Sequence, residues 1–337
     1  MKVLANSQNK IYITSSDKVI SPPSKLGVTI NDLIGPVDSN GVLNMPFSFD
    51  GIDFTGVEDI GGYALYYKFE RLNGPIGVVS FTDLEDVSGQ YGLSYSFNYN
   101  QGVTSVSFPS LTSVSGQNGM SYCFSGCSYL ASISLPELVS ISGNSGMQNT
   151  FSICPNLSAV SLPKLTTISS QNGANSLFQS DSNLISASLP LLTTISGPSG
   201  ATNMFYSTKL TTFEFPELTN ITGNSALQSC FSYCTYLTTV RFPKLSNISG
   251  ASVLNSCFAS CSVLSDVYFN ALTTTSFGTN INQFSSIFNA STGSTSLAFT
   301  MHFPSNLSSK IQSLTGYPNF GATAGRLTLA FDLPATS

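Results

Sequence analysis

The chain has 337 residues, only 9% of them charged, and a formal net charge of −5. Globular domains usually carry about a quarter charged residues, so Ser, Thr, Asn and Gly supply the surface polarity here. The acidic balance argues against nucleic acid or an anionic membrane as partner, since both need basic patches, and no apolar run of about 18 residues is present to span a bilayer.

Residues 1–48 lack the repeat that fills the rest of the chain. Polar residues interrupt the N-terminus from Asn6 onward, so no secretory leader is expected there. Lys10 to Thr14 and Lys18 to Ser21 flank Ser15-Ser16-Asp17, which predicts a short hairpin. Ser21-Pro22-Pro23-Ser24 reads as a rigid break, and Val28 to Ile34 as a strand or one helical turn. Two roles are open for this segment: a cap on the repeats, or a module that docks onto a larger assembly.

The repeat begins near Phe49. Its clearest marker is a proline after each strand, at Pro109, Pro136, Pro163, Pro190, Pro216 and Pro243, with spacings of 27, 27, 27, 26 and 27. A fixed period of this length marks a solenoid, in which no unit can bury its apolar face alone. In the unit after Pro109, Leu111 and Val114 point inward and Ser115 to Gly119 form a turn. Met120 to Cys127 are expected to make a short helical turn centred on Phe124. Gly119, Gly146, Gly173 and Gly200 share one column, where a positive φ or a close backbone approach is expected. A phenylalanine column follows at 97, 124, 151, 178, 205, 231 and 258, and is expected to stack in the core.

The strand Leu130-x-x-Ile133-x-Leu135 recurs nine times, from Phe49/Ile52/Phe54 through Leu184/Ala187/Leu189 to Leu264/Val267/Phe269. Nine to eleven coils at ~4.8 Å give a body roughly 45–50 Å long. Beyond Asn270 the period loosens, which suggests an insertion at 276–296, then a C-terminal cap over 304–337 ending in a strand at Thr328 to Pro334. The seven cysteines all lie in the repeats beside the phenylalanine column and are expected to be buried free thiols.

The series Phe124-Cys127-Leu130-Ile133-Leu135-Pro136 resembles the signature of BspA-type leucine-rich repeats. The resemblance covers roughly 49–303 and departs at Asp181 and Thr208, which replace the cysteine. It implies a mostly β leucine-rich-repeat solenoid with short helical turns and a parallel sheet on one face. It also implies kinship with bacterial surface adhesins, parasite surface proteins and host-contacting virion proteins of tailed bacteriophages. Within that range the expected function is a non-enzymatic, tail-fibre-like virion surface protein. It would attach to other virion proteins through residues 1–48 and bind a host-surface glycan or protein, with assembly as a homotrimer raising avidity. The alternatives are a structural or decoration virion protein without ligand, and a bacterial surface adhesin or polysaccharide depolymerase.

Two sets of residues break the blandness of the repeats. The outward position before the last strand residue is serine in five consecutive coils and then becomes Glu214, Arg241, Tyr268 and His302. Neighbouring coils would bring these four together as an aromatic face with forked donors and acceptors, a combination suited to a sugar. The bland alternative is a solvated ion pair beside an exposed tyrosine. The second set, Glu58, Asp59, Glu85 and Asp86, occupies the same two repeat positions in adjacent coils. Four carboxylates there can hold Ca²⁺, or form a solvated acidic edge. No other cofactor is expected. With a single histidine, no Gly-x-Ser-x-Gly elbow and no phosphate-binding loop, the chain carries poor enzymatic signals.

Overall fold

The computed structural model describes residues 2–5, 10–14, 19–20, 51–55, 59–60, 65, 67, 69–70, 76–277, 283–284, 286–288, 299–314, 317 and 327–335. The expected Pro22-Pro23 break and the element at 28–34 lie outside the described residues. Each coil of the solenoid has three segments: a main strand, a two-residue second strand and a run of turns. The main strands, numbered in chain order with the others, are β1 (Lys2–Ala5), β2 (Lys10–Thr14), β4 (Gly51–Thr55), β6 (Gly77–Ser80), β7 (Val103–Ser107), β9 (Ser132–Ser134) and β11 (Ala159–Ser161). They continue as β13 (Ser186–Ser188), β15 (Thr212–Glu214), β17 (Thr239–Phe242), β19 (Asp266–Phe269), β20 (Phe299–Pro304) and β21 (Leu327–Leu333). Nine of them, β4 to β19, follow the repeat of about 27 residues.

The second strands are β3 (Val19–Ile20), β5 (Asp59–Ile60), β8 (Ser113–Val114), β10 (Ser140–Ile141), β12 (Thr167–Ile168), β14 (Thr194–Ile195), β16 (Asn220–Ile221) and β18 (Asn247–Ile248). β8 to β18 form one parallel sheet in strict register. From Val114 onward a β-branched residue of each pair is buried, and a small polar residue faces outward. This is the period-2 alternation of a strand with one wet face.

The hairpin expected between 10–14 and 18–21 does not form. β2 pairs antiparallel with β1 and parallel with β4, and β3 pairs parallel with β5. β2 and β3 thus each add a parallel strand beside the first coil of the repeats. At the other end β21 pairs in parallel with β20, so the strand expected near 328–334 also continues the main sheet. Between them the five-residue helix α1 (Ser308–Gln312) packs Ile311 inward.

The run of turns is not helical, which corrects the expected helical turn at Met120–Cys127. Asn118, Tyr122 and Gly126 all have positive φ, near 52°, 56° and 73°. Backbone donors alternate in direction. The N–H groups of Met120, Tyr122, Phe124 and Gly126 donate to carbonyls of the next coil, at 2.7–2.9 Å. Those of Gly119, Ser121, Cys123, Ser125 and Cys127 donate three residues back. The segment is therefore a ribbon of successive β-turns, half bonded within the coil and half between coils. Asn, Ser and Tyr occupy most of the left-handed positions, where asparagine is the more usual non-glycine choice.

The phenylalanine column stacks as expected, with ring centroids 5.0–6.0 Å apart from Phe97 to Phe258 and planes within 17°. The cysteines are free. They are more than fillers: Cys127, Cys154, Cys234 and Cys261 direct their thiols at the carbonyls of Phe97, Phe124, Phe205 and Phe231 on the preceding coil, at 2.9–3.3 Å. Burial pushes Cys127 up to about 12 and Cys234 up to about 11, so both stay protonated donors. The glycine column at 119, 146, 173 and 200 has no positive φ but does show the close approach: a Cβ on Gly146 or Gly200 would stand 2.9 Å from the carbonyl oxygen three residues back. The tighter requirement is one turn earlier. A Cβ on Gly143 would stand inside the carbonyl of Gly116, and the same holds for Gly197 and Gly223 against the coil before them.

Asp181 breaks the thiol column. It is fully buried; its Oδ1 accepts the Cys154 N–H at 2.8 Å, and its Oδ2 has no hydrogen-bond partner. Burial pushes its carboxyl well above the usual range. A carboxyl raised in the folded state holds its proton better there than in the unfolded chain. Its contribution to stability is therefore fullest below the ordinary carboxyl value of about 4 and declines as pH rises above it.

Two outcomes test this packing. Gly143→Ala should lower stability by about 3 kcal/mol, since backbone must move to admit the methyl, read as a fall in the urea midpoint with unchanged slope. Asp181→Cys should restore the column, raise stability at pH 7 and flatten its decline between pH 4 and pH 8, followed by denaturation at each pH.

Candidate functional site

The side chains of the main strands alternate between core and solvent, so one outward residue per coil lines up down the sheet. The ladder brings the four expected residues together. Glu214 is paired with Arg241, Arg241 with Tyr268, and Tyr268 with His302. The Arg241 guanidinium lies over the Tyr268 ring, 4.0 Å from its centroid. On the other face of the row, Tyr268 stacks on His302 at 4.2 Å with planes 7° apart. Three planar groups thus form one continuous stack across three coils, a cation–π contact followed by an aromatic one.

Carboxylates fix the far end. His302 Nδ1 lies 2.9 Å from Asp332 Oδ2 on β21, and Nε2 lies 3.1 Å from Asp266 Oδ1 on β19. Each ring nitrogen thus faces an acceptor, and the imidazole is held in plane. Ser265 donates its hydroxyl to Asp266 at 2.7 Å. Burial works against the Asp266 carboxylate, but the hydrogen bonds from Ser265 and His302, with the nearby charges of His302 and Arg241, outweigh it and hold the carboxyl below its usual range. Asp266 and Asp332 were not singled out from the sequence. The signal was present in the register, since Asp266 opens the strand that carries Tyr268.

Beside this stack the main sheet is interrupted. Its hydrogen-bonded ladder runs through β1, β2, β4, β6, β7 and β9, then through β11 and β13, then from β15 to β21. Between β13 and β15 a cleft of about 750 Å³ opens, floored by Ala187 and Phe213 and rimmed by Ser188, Thr212, Glu214 and Arg241. Its cause is legible in three residues. Ala187 stands where the other coils carry Val, Ile or Phe. Phe213 packs against Phe205 of the preceding coil and Phe215 and Phe231 of its own. Lys209, which precedes Leu210, donates its N–H to Leu184 25 residues back, whereas Ala131, Ile185 and Thr238, which each follow the leucine of their strand, reach back 27 residues to 104, 158 and 211. The one short repeat, between Pro190 and Pro216, produces that slip.

The acidic set behaves differently. Asp59 accepts the N–H and hydroxyl of Ser88, and Asp86 accepts Ser113 and Ser115, at 2.6–3.2 Å. Each aspartate thus fastens the next coil. Glu85 contributes its backbone carbonyl to Thr112, and Glu58 lies outside the described residues. Among the described residues no three His, Cys, Asp or Glu side chains gather closely enough to hold a metal ion. A further aromatic feature lies on the turn ribbon, where Tyr67, Tyr95 and Tyr122 stack at 4.7 and 4.8 Å.

The repeat profile of the BspA type leucine rich repeat region matches in 6 copies over residues 93–230 and 200–289. Those matches span more than half of the chain, which belongs to that family of leucine-rich-repeat proteins. Among solved structures it is similar to a leucine-rich repeat protein from Bacteroides ovatus, at 16% identity over 83% of this chain and 84% of that one, with a TM-score of 0.33. It is also similar to the T. pallidum leucine rich repeat protein TpLRR, at 17% identity over 96% of each chain and a TM-score of 0.35. The pneumococcal vaccine antigen PcpA is 12% identical over 100% of this chain and 96% of that one, with a TM-score of 0.26. No curated protein matches the sequence. Among the described residues no helix is long and apolar enough to cross a membrane.

A carboxyl lowered in the fold stabilises above the ordinary carboxyl value and loses that contribution as pH falls through it. The stability gap between the wild type and Asp266→Asn should therefore be present at pH 6 and close below about pH 4, measured as paired denaturant midpoints. A gap independent of pH would remove Asp266 from the clamp on His302.

Proposed function

We propose that this chain is a non-enzymatic adhesion protein that holds a glycan on the exposed face of its main sheet, at the end marked by Glu214, Arg241, Tyr268 and His302. The observation that carries the reading is the Arg241–Tyr268–His302 stack, pinned by Asp266 and Asp332. A planar platform fixed before a ligand arrives loses little rotamer freedom on binding, which is where weak sugar contacts gain affinity. Donors and acceptors with aromatic surface are the groups that sugar hydroxyls and the pyranose face need. The non-enzymatic part is supported by the engagement of Asp266 with Ser265 and His302, which leaves Glu214 as the carboxylate at the rim of the cleft. Paired carboxylates across a sugar bond are what glycoside hydrolysis ordinarily uses.

The setting we propose is the surface of a phage particle, with residues 1–48 meeting other virion proteins and the repeats meeting the host. Capsid or tail genes beside this one would test it directly.

A glycan array probed with the wild type and with Tyr268→Ala tests the site. The wild type should retain a restricted set of glycans, and the variant should lose about tenfold or more in affinity for them. Binding unchanged by the substitution would remove the site, and failure to bind any glycan or host cell would sink the adhesion reading.

A further inference from the structure

Two exposed pairs of opposite charge show what adjacent coils ordinarily do. Lys164 pairs with Glu137, and Lys244 pairs with Glu217 at 2.6 Å, each across 27 residues. Glu214 and Arg241 are also 27 residues apart, directly paired in the ladder and exposed. They form no ion pair, and no carboxylate of the described residues lies within ion-pair distance of Arg241. The reason is geometric. The guanidinium is drawn over Tyr268, away from Glu214. It is held by its face, which leaves the N–H fork without a carboxylate in ion-pair distance, at the β17 edge of a cleft whose lining runs from Ala187 across β15 to Arg241.

We propose that the cleft between β13 and β15 binds a glycan that carries a carboxylate, a uronic or sialic acid, with Arg241 as the carboxylate receptor. The inference rests on the glycan reading above and names the class of sugar. A planar guanidinium fixed by stacking presents two parallel donors, the geometry a carboxylate accepts bidentately. The cleft volume of about 750 Å³ admits a sugar unit with its neighbours. Ser188 and Thr212 offer hydroxyls at its rim, and Glu214, on the strand next to Arg241, accepts from sugar hydroxyls beside the carboxylate. The apolar floor of Ala187 and Phe213 takes the ring face. A neutral sugar would leave the Arg241 fork facing water and gain nothing from it.

The test is calorimetric titration of the full chain with trigalacturonate and sialyllactose, each beside a neutral counterpart, maltotriose and lactose. At least one acidic sugar should bind about tenfold or more tightly than its neutral partner, and added salt should reduce the difference. Arg241→Gln should abolish that preference. Arg241→Lys, which keeps the charge but not the fork, should recover only part of it. Ala187→Ile restores the residue type of the other coils and fills the cleft, so it should raise the melting temperature while removing binding. Equal binding of acidic and neutral sugars, or an acidic preference that survives Arg241→Gln, would overturn the carboxylate assignment and leave the glycan reading intact. Tight acidic binding that survives Ala187→Ile would move the ligand out of the cleft. Absence of binding to all four sugars and to the array would overturn both readings.

Discussion

Every coil of this protein depends on the next one for half of its backbone hydrogen bonds in the turn ribbon, and for nearly all of them in its strands. A segment such as Asn118 to Gly126 sends alternate N–H groups within the coil and across to the following coil. Burial without partners costs each polar group about 1–3 kcal/mol, so an isolated coil has no stable state. The side chains obey the same constraint. Ring stacks, thiols aimed at phenylalanine carbonyls and aspartates gripping the serines of the next coil all run along the axis. Stability is consequently a sum of neighbour terms, as expected of a linear array. A closely packed array also leaves few freedoms at its surface. The outward serines of β9, β11 and β13 are fixed in position and chemically plain.

Function in such a molecule has to come from departures that the stack can absorb. The coil between Pro190 and Pro216 is one residue short, carries Ala187 beside it, and follows a thiol column broken by Asp181 and Thr208. None of these changes unfolds the stack, because the phenylalanine column and the β14–β16 pairing pass through without interruption. The main sheet alone parts there. The first charged residues on its outward column after that point are Glu214 and Arg241, at the rim of the opening. Fold and site are thus separable: one face keeps the register while the opposite face opens.

The register of the repeats was legible in the sequence because side-chain alternation and a 27-residue period leave one solution. That solution placed Glu214, Arg241, Tyr268 and His302 in a row across a loosened period, which required β20 to rejoin the sheet. The turn ribbon was not legible. Apolar residues around Phe124 fit a helical turn equally well, and the discriminating fact is a left-handed residue every fourth position. The acidic set misled for a related reason. Asp86 looks like one of several clustered carboxylates until the turn brings the hydroxyls of Ser113 and Ser115 to it. The cleft had a signal in the sequence, an alanine in a column of larger residues next to the one short repeat. A change in side-chain volume has no pattern of its own, however, and reads as drift until the packing around Phe213 is seen.

The parallel ladder is continuous along the second sheet, whereas the main sheet parts after β9 and again after β13, and the second of these openings is where ligand binds. Native-state hydrogen exchange, resolved by segment, tests it most directly. Amides at 185–189 and 211–213 should exchange faster than those of the strands at 105–107 and 239–242, which are paired on both sides, while 194–195 and 220–221 remain as protected as their neighbours. Addition of an acidic sugar should slow the first group alone. Uniform protection of all main-sheet strands, unaffected by sugar, would contradict the account.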